Sequence, residues 1–423
     1  MDKLFQDFFA GLIKAGSMEI ETAEGHRFLV GDGSGEKIAL RFNDRTAQIR
    51  LMVDPELHFG ELFMDERIDV TEGSVYDALL LASENLMRPD IGPLRADGSG
   101  WVRLLQQARM GLRRFEQAND ALRAKRNVAH HYDLDRGLYA LFLDSDLQYS
   151  CAYFEADGQS LDEAQLAKKR HIAAKLMPGP GQRILDIGCG FGGMAIYLAR
   201  YCDASVTGVT LSKAQLGVAK DRAAALGLSA ATDFRMLDYR EIDGCFNRIV
   251  SVGMFEHVGL HHYKSYFQKI AQLLDDDGVA LIHTIGRASG PAATQPWIAK
   301  YIFPGGYIPG MSEILPAIER TGLFVTDVEV LRLHYADTMK AWREHFLARR
   351  DEAKALYDER FCRMWELYLA GSECAFRCEG LVVFQIQLAK KVDAVPLTRD
   401  YVGRGEAALR QREQAKASYR MAG

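Results

Sequence analysis

The stretch Arg183-Ile-Leu-Asp-Ile-Gly-Cys-Gly-Phe-Gly-Gly193 holds the residue types and spacing best suited to chemistry in this chain. Ile184, Leu185 and Ile187 predict a strand with Asp186 near its end. Gly188, Gly190, Gly192 and Gly193 follow, and Met194-Ala-Ile-Tyr-Leu-Ala opens a helix at once. Glycine lets the backbone turn tightly and come close to a ligand, and the first turn of a helix presents unpaired N–H groups to it. A dinucleotide fingerprint would read Gly-x-Gly-x-x-Gly and place an acid at the end of the second strand. Here that strand, Ser205-Val-Thr-Gly-Val-Thr210, ends in threonine. The loop alone leaves a nicotinamide cofactor and a different nucleoside cofactor both open.

A second polar run, Phe255-Glu-His-Val-Gly259 with His261 and His262 behind it, invites a metal reading, because histidines at i and i+4 share a helix face. The run ends a strand and contains Gly259, which breaks a helical register, so no metal is expected. The seven cysteines (151, 189, 202, 245, 362, 374, 378) are scattered, odd in number and without a Cys-x-x-Cys. That argues for reduced thiols and against a disulfide framework or zinc ribbon.

The elements that must hold these residues follow from periodicity. From about residue 126 strands and helices alternate. Strands are expected near 183–188, 205–210, 232–236, 247–252, 279–285, 323–331 and 380–390, and helices near 164–176, 194–201, 212–226 and 263–274. This is the rhythm of an α/β, doubly wound, mostly parallel seven-stranded sheet. Residues 334–372 have helical spacing and many aromatics. Before this region, residues 1–100 predict a small α+β domain: a helix at 4–15, an antiparallel meander at 17–22, 37–42 and 46–53, and a helix at 75–84. Two prolines and three glycines at 88–100 mark its end. Residues 101–125 read as a basic linker helix, 126–392 as the catalytic domain, and 393–423 as a charged C-terminal helix or tail with no assignable chemistry.

At 423 residues, 48% hydrophobic and 26% charged, the chain is long enough for two cores and has a globular composition. Its net charge of −5 argues against a nucleic-acid partner. It has no run of eighteen apolar residues and no secretory signal, so a cytoplasmic protein is expected. Trp101–Arg126 stands apart with a net +5 on helical apolar spacing. It reads either as a solvated linker or as a basic face for anionic lipid headgroups.

Six motifs in order carry a resemblance: Leu147-Gln-Tyr-Ser-Cys-Ala-Tyr-Phe154, Ile184–Gly193, Gly208-Val-Thr-Leu-Ser-Lys-Ala-Gln215, Phe255-Glu-His-Val-Gly259, His283-Thr-Ile-Gly286 and Trp297–Pro309. The Asp-x-Gly-x-Gly-x-Gly loop resembles the first motif of S-adenosylmethionine-dependent methyltransferases. Over about 125–392 the whole set resembles the cyclopropane-fatty-acyl-phospholipid synthase family, which includes the mycolic-acid cyclopropane synthases. The first hundred residues resemble the small N-terminal domain of its phospholipid-acting members in pattern only.

The resemblance implies a seven-stranded methyltransferase sheet. It also implies a reaction in which S-adenosylmethionine gives a methyl(ene) carbon to the cis double bond of an unsaturated phospholipid acyl chain, forming a cyclopropane. The same transfer could instead end in a methylene-branched or methylated chain. Cofactor contacts are implied at Tyr149, Ser150, Asp186, Gly188, Gly190, Gly192, Thr210, Leu211, Gln215, Tyr239 and Arg240. Cys151, Glu256, His283, the Ile285 backbone and Tyr335 are implied to hold a bicarbonate ion as base, with Cys151, Glu256, His283 and Tyr335 as catalytic residues.

This chemistry is coherent. An alkene is a poor nucleophile and needs an aligned methyl in a dry site, and a base must then remove a proton so that the ring closes. Without the resemblance, Cys151 reads as an inert buried thiol and His283 as a core histidine. Trp297, Tyr301, Phe303, Tyr307 and Ile308 suit an apolar flap for an acyl chain. The family usually carries cysteine where this chain has Ser372, which removes a thiol nucleophile from the requirements. A homodimer, peripheral on the inner face of the membrane, is also implied. Rival readings are a non-catalytic lipid carrier and an amine or oxygen methyltransferase.

Overall fold

The computed structural model describes residues 2–88, 109, 111 and 136–421. The chain divides into two compact units. One comprises Met1–Glu116, Ala292–Pro304 and Met339–Leu381; the other comprises Gln117–Pro291, Gly305–Thr338 and Val382–Gly423. The boundary expected near residue 100 is therefore incomplete, since 292–304 and 339–381 belong to the first unit. Packing inside that unit explains their place. Trp297 is buried over Gly60 and donates to Met64 Sδ (3.2 Å), and Arg363 donates to the Ile68 carbonyl (2.8 Å). No sequence period reports contacts made across 230 residues or more.

In the first unit, four strands, β1 (Ser17–Glu21), β2 (Arg27–Val30), β3 (Lys37–Phe42) and β4 (Ile68–Glu72), order as β2-β1-β3-β4. β1 and β3 run parallel, so the sheet is not the expected antiparallel meander. The expected strand at 46–53 is helix Arg45–Val53. Its apolar alternation at Ala47, Ile49, Leu51 and Val53 mimics a strand, but Asp44 caps it by accepting from the Ala47 N–H (2.9 Å). The buried residues are Ala47, Gln48 and Leu51, at helical spacing.

In the second unit, seven strands order as β10-β11-β9-β8-β5-β6-β7. They are β5 (Arg183–Ile187), β6 (Ser205–Thr210), β7 (Thr232–Met236), β8 (Phe246–Val252), β9 (Leu274–Arg287), β10 (Phe324–Leu331) and β11 (Leu381–Ala389). β7-β6-β5-β8-β9 are mutually parallel and β10 is antiparallel to β11. Sequence reading finds all seven strands because strands buried on both faces read as continuous apolar runs. Leaving β5, the chain returns through helix Gly193–Cys202, and β6 leads into helix Lys213–Ala225. The carboxyl ends of both strands thus face one crevice, which is where open α/β sheets bind ligands.

Helix Leu161–Leu176 starts on a Ser160–Glu163 capping box and is buried almost all round. The C-terminal helix Asp400–Met421 is what covers it. Arg170 donates to Glu413 (2.8 Å) and Glu155 (3.1 Å), Tyr197 Oη donates to Glu413 (2.5 Å), and both ring nitrogens of His171 meet carboxylates, Glu406 at 2.6 Å and Glu329 at 2.7 Å. The segment that sequence left without a task is a clamp on the catalytic sheet.

Gly286 on β9 lies under the Phe384 ring of β11, where an added Cβ would overlap the ring. Gly286→Ala is expected to destabilise this unit by about 1–3 kcal/mol through overpacking. An unchanged thermal midpoint would show that the ring moves aside without cost.

Candidate active site

A cavity opens at the carboxyl ends of β5 and β6. Asp186, Gly188 and Gly190 line it from the β5 side, and Thr210, Leu211 and Gln215 from the β6 side. Tyr149 and Ser150 form another wall, and Tyr239 and Arg240 a fourth. Ten of the eleven residues expected to touch a cofactor therefore converge on it.

Gly192 is the exception. It adopts φ 82°, caps helix Gly193–Cys202, and sits where a Cβ would press Ala219 (2.9 Å) and Phe234 (3.0 Å). Its task is to let the helix pack, not to line the cavity. Gly188 (φ 80°) does line it, and its N–H is held by the Val209 carbonyl (2.9 Å).

Local structure fixes the rest of the wall. Thr210 donates to Gln215 Oε1 (3.0 Å) and accepts from the Ser212 N–H (3.2 Å), which orders the β6 end without any acid. Tyr149 is wedged against Tyr139 (5.4 Å between ring centres) and Phe142 (6.0 Å). Asp238 caps the 3₁₀ turn Tyr239–Glu241 by accepting from the Arg240 N–H (3.0 Å).

Burial pushes the Asp186 carboxyl up to about 7, and its Oδ2 has no hydrogen-bond partner among the described residues. Lys168, Gln148, Asp238 and His257 also line the cavity, and sequence reasoning missed them. Gln148 and His257 lay inside quoted motifs. Lys168 sits in an unremarkable run of helix charge. Burial lowers His257 to about 4, so its ring is neutral.

The expected catalytic residues stand one step behind this wall. Cys151 follows Ser150, Glu256 precedes His257, and His283 pairs with the lining residue Val252 across β8 and β9. All three, and Tyr335 with them, are buried. Glu256 Oε1 accepts from the Ile285 N–H (2.7 Å), while its Oε2 has no partner among the described residues. The Ile285 N–H, expected to face an ion directly, is thus committed to Glu256. Burial raises Glu256 to about 7.

Lys175 donates to Gln385 Oε1 (2.8 Å), which turns the Gln385 amide N–H toward His283 Nδ1 (3.2 Å). The His283 proton is thereby assigned to Nε2, which has no partner among the described residues. Burial, and then the Lys168 and Lys175 charges, hold this ring well below its usual range. Burial likewise pushes the Cys151 thiol far up, so it is no nucleophile, and its Sγ–H donates to the Ala152 carbonyl (3.2 Å). Tyr335 is carried on helix His334–Ala348, whose first turn is tied to the Cys151 strip. The Ala152 N–H donates to Thr338 Oγ1 (3.0 Å) and the Phe154 N–H to His334 Nδ1 (3.0 Å).

The expected flap splits. Trp297, Tyr301 and Phe303 pack within the first unit, where Tyr301 and Lys300 reach Glu61 (3.0 and 2.6 Å), while Tyr307 and Ile308 belong to the second. The 255–262 run is two 3₁₀ turns broken at Gly259 (φ 82°). Of the +5 stretch, only Arg109 and Gly111 lie among the described residues, and Arg109 is paired with Asp54 (2.5 Å) and Glu56 (2.7 Å).

A seven-stranded sheet in this order, with a glycine loop and cavity at its carboxyl edge, defines an S-adenosylmethionine-dependent methyltransferase. A solved structure titled mycolic acid cyclopropane synthase CmaA1 complexed with SAH and CTAB matches with a TM-score of 0.60 and 34% identity, over 62% of this chain and 97% of that one. Within that class the chain belongs to the mycolic acid cyclopropane synthetase family, whose profile matches residues 119–386. It is 41% identical over 263 residues to the cyclopropane-fatty-acyl-phospholipid synthase of Escherichia coli (strain K12), spanning 62% of this chain and 67% of that one. It is 42% identical over 271 residues to a probable fatty acid methyltransferase of Pseudomonas putida, spanning 62% and 68%.

Proposed function

We propose that this enzyme adds a methylene carbon from S-adenosylmethionine across the cis double bond of an unsaturated phospholipid acyl chain, using bicarbonate as the base. The observation that carries the reading is the pair of buried polar atoms, Glu256 Oε2 and His283 Nε2, left without partners behind the cofactor wall. An amine or oxygen methyltransferase takes its proton from nitrogen or oxygen and has no late proton on carbon to remove. Buried polar groups ordinarily find partners, so an orphaned donor and an orphaned carboxyl oxygen are each open to a small polar occupant. The donor set fits a small oxyanion. His283 offers Nε2–H, and Glu256, raised to about 7, carries a proton to donate or relay.

When bound, the cofactor supplies an electrophilic sulfonium methyl, and bicarbonate supplies a compact base. The protein's part is to exclude water, aim the groups and handle one proton. The Cys189, Phe191, Met194 and Met254 side chains make part of the cavity wall apolar. Glu256, anchored by the Ile285 N–H, keeps one oxygen fixed and the other available. Neutral His283 donates without adding a charge that would repel a developing carbocation.

The name of the Pseudomonas putida relative favours a second reading, in which the proton leaves a neighbouring carbon and a methylene-branched or methylated chain results. Expressing the chain in a host without cyclopropane lipids separates the two. Saturated ring products that resist hydrogenation support the first reading, hydrogenatable branched alkenes the second, and unchanged lipids neither.

No helix among the described residues is long and apolar enough to cross a membrane. Docking at the bilayer surface, as a homodimer, belongs to the same proposal. Arg109, already holding two carboxylates, is a poor headgroup ligand, so docking is expected to depend on other basic residues of 101–126. Vesicle binding that falls on Arg109→Gln alone would contradict this.

Ser372 lies half-buried on helix Glu359–Arg377. Ser372→Ala is expected to keep most of the activity, and Ser372→Cys to add little. Complete loss in a folded Ser372→Ala protein would give that hydroxyl a direct role.

A further inference from the structure

Helix Leu161–Leu176 carries four buried cations, and three have carboxylate partners. Lys169 pairs with Asp146 (2.5 Å), Arg170 with Glu155 and Glu413 (3.1 and 2.8 Å), and Lys175 with Glu329. Lys168 is the exception. It is 1% exposed, and its Nζ donates to Gln148 Oε1 (2.6 Å) and Ser150 Oγ (2.8 Å). Among the described residues no carboxylate lies within ion-pair distance of it. An ammonium has three donors, so one remains uncommitted. A buried charge without a counter-charge is costly, and proteins tolerate it chiefly where a ligand completes the pair.

Lys168 lines the cofactor cavity. Asp186 lines the same cavity with the opposite defect, a buried carboxylate oxygen without a partner. The two form no ion pair with each other. One positive and one negative group, each incomplete, suit a zwitterion, and the amino-acid end of S-adenosylmethionine is one.

We infer that Lys168 binds the α-carboxylate of S-adenosylmethionine, with Ser150 beside it and Asp186 serving the ammonium end. This deepens the reading of the cavity as the cofactor site and does not depend on which lipid product is made. Burial lowers Lys168 only to about 8, so it remains a cation at neutral pH, and a bound carboxylate would stabilise that form further. Lys168 also explains why the Gln148–Ser150 strip is held against the cavity, since both of its hydrogen bonds go there.

Decarboxylated S-adenosylmethionine differs from the cofactor by the carboxylate alone, so paired calorimetric titrations isolate the contact. Lys168→Met is expected to lose roughly 10- to 100-fold in affinity for S-adenosylmethionine, the range of a charge-assisted hydrogen bond, and far less for the decarboxylated form. Lys168→Arg should keep part of the discrimination. Equal losses for both ligands would mean that Lys168 only braces the 148–150 strip. No loss for either would place the carboxylate elsewhere. Should Lys168→Met fail to fold, Lys168→Gln, which retains a donor toward Gln148 and Ser150, carries the same comparison. A wild-type chain that discriminates between the ligands yet makes no ring lipid would overturn the proposed lipid substrate and leave this inference standing.

Discussion

Glu256→Gln is expected to cut turnover by roughly 10²- to 10⁴-fold, the usual span for loss of a positioned acid–base group, while S-adenosylhomocysteine affinity barely changes. The reason is positional. Glu256 lies behind the cofactor wall and acts on a proton lost after the methyl has moved. His283→Ala should behave alike, because it removes the other unpartnered group at the same stage. Calorimetry and single-turnover rates separate the outcomes. Abolished cofactor binding with a normal rate per bound cofactor would remove both residues from the proton path.

The same substitution has a pH signature. Burial raises Glu256 to about 7 against an ordinary value near 4.5. A carboxyl with a raised folded-state pKa contributes stability that is complete below the unfolded value and lost as pH rises through the folded one. Between about pH 4.5 and 7 the wild type should therefore lose up to about 3 kcal/mol that Glu256→Gln does not lose. The difference in melting temperature, variant minus wild type, should grow with pH across that window and then level off. A flat difference would show that Glu256 is not held neutral by its surroundings.

Arg170→Met is expected to lower the thermal midpoint of the methyltransferase unit by about 10 °C. It strips the cation from a buried arrangement in which Glu413 accepts from Arg170 and Tyr197, and breaking one partner of such a pair costs about 3–5 kcal/mol. Glu413→Gln keeps the shape and hydrogen-bonding atoms and should lose less. Removing residues 400–423 should be worse than either, because Arg170 and His171 would lose Glu413 and Glu406 together. Hydrogen exchange gives the check. Protection should fall first along helix Leu161–Leu176, and uniform loss across the sheet would show that the C-terminal helix is no separate clamp. Because helix Leu161–Leu176 also presents Lys168 to the cavity, cofactor affinity should fall with its protection.

The sequence by itself determined the methyltransferase sheet, the glycine loop and ten of the cavity residues. All three come from short stretches of chain: apolar runs of strand length, glycines at a strand end, and short motifs whose resemblance to one family implied the cofactor contacts. It misread Thr46–Val53, because alternation and helical spacing coincide over eight residues and Asp44 serves equally as turn former and cap. It also placed Gly192 in the wall, although its missing side chain makes room for Ala219 and Phe234 on other elements.

Tertiary structure alone decided the rest. Only folding brings Trp297 to Met64, commits the Ile285 N–H to Glu256, and closes the C-terminal helix on Arg170 and His171. It alone leaves Lys168, among the described residues, with no carboxylate within ion-pair distance. Whether a charge is paired depends on contacts far apart in the chain, and identical Lys-Lys-Arg spacing on a solvated helix would carry no such meaning.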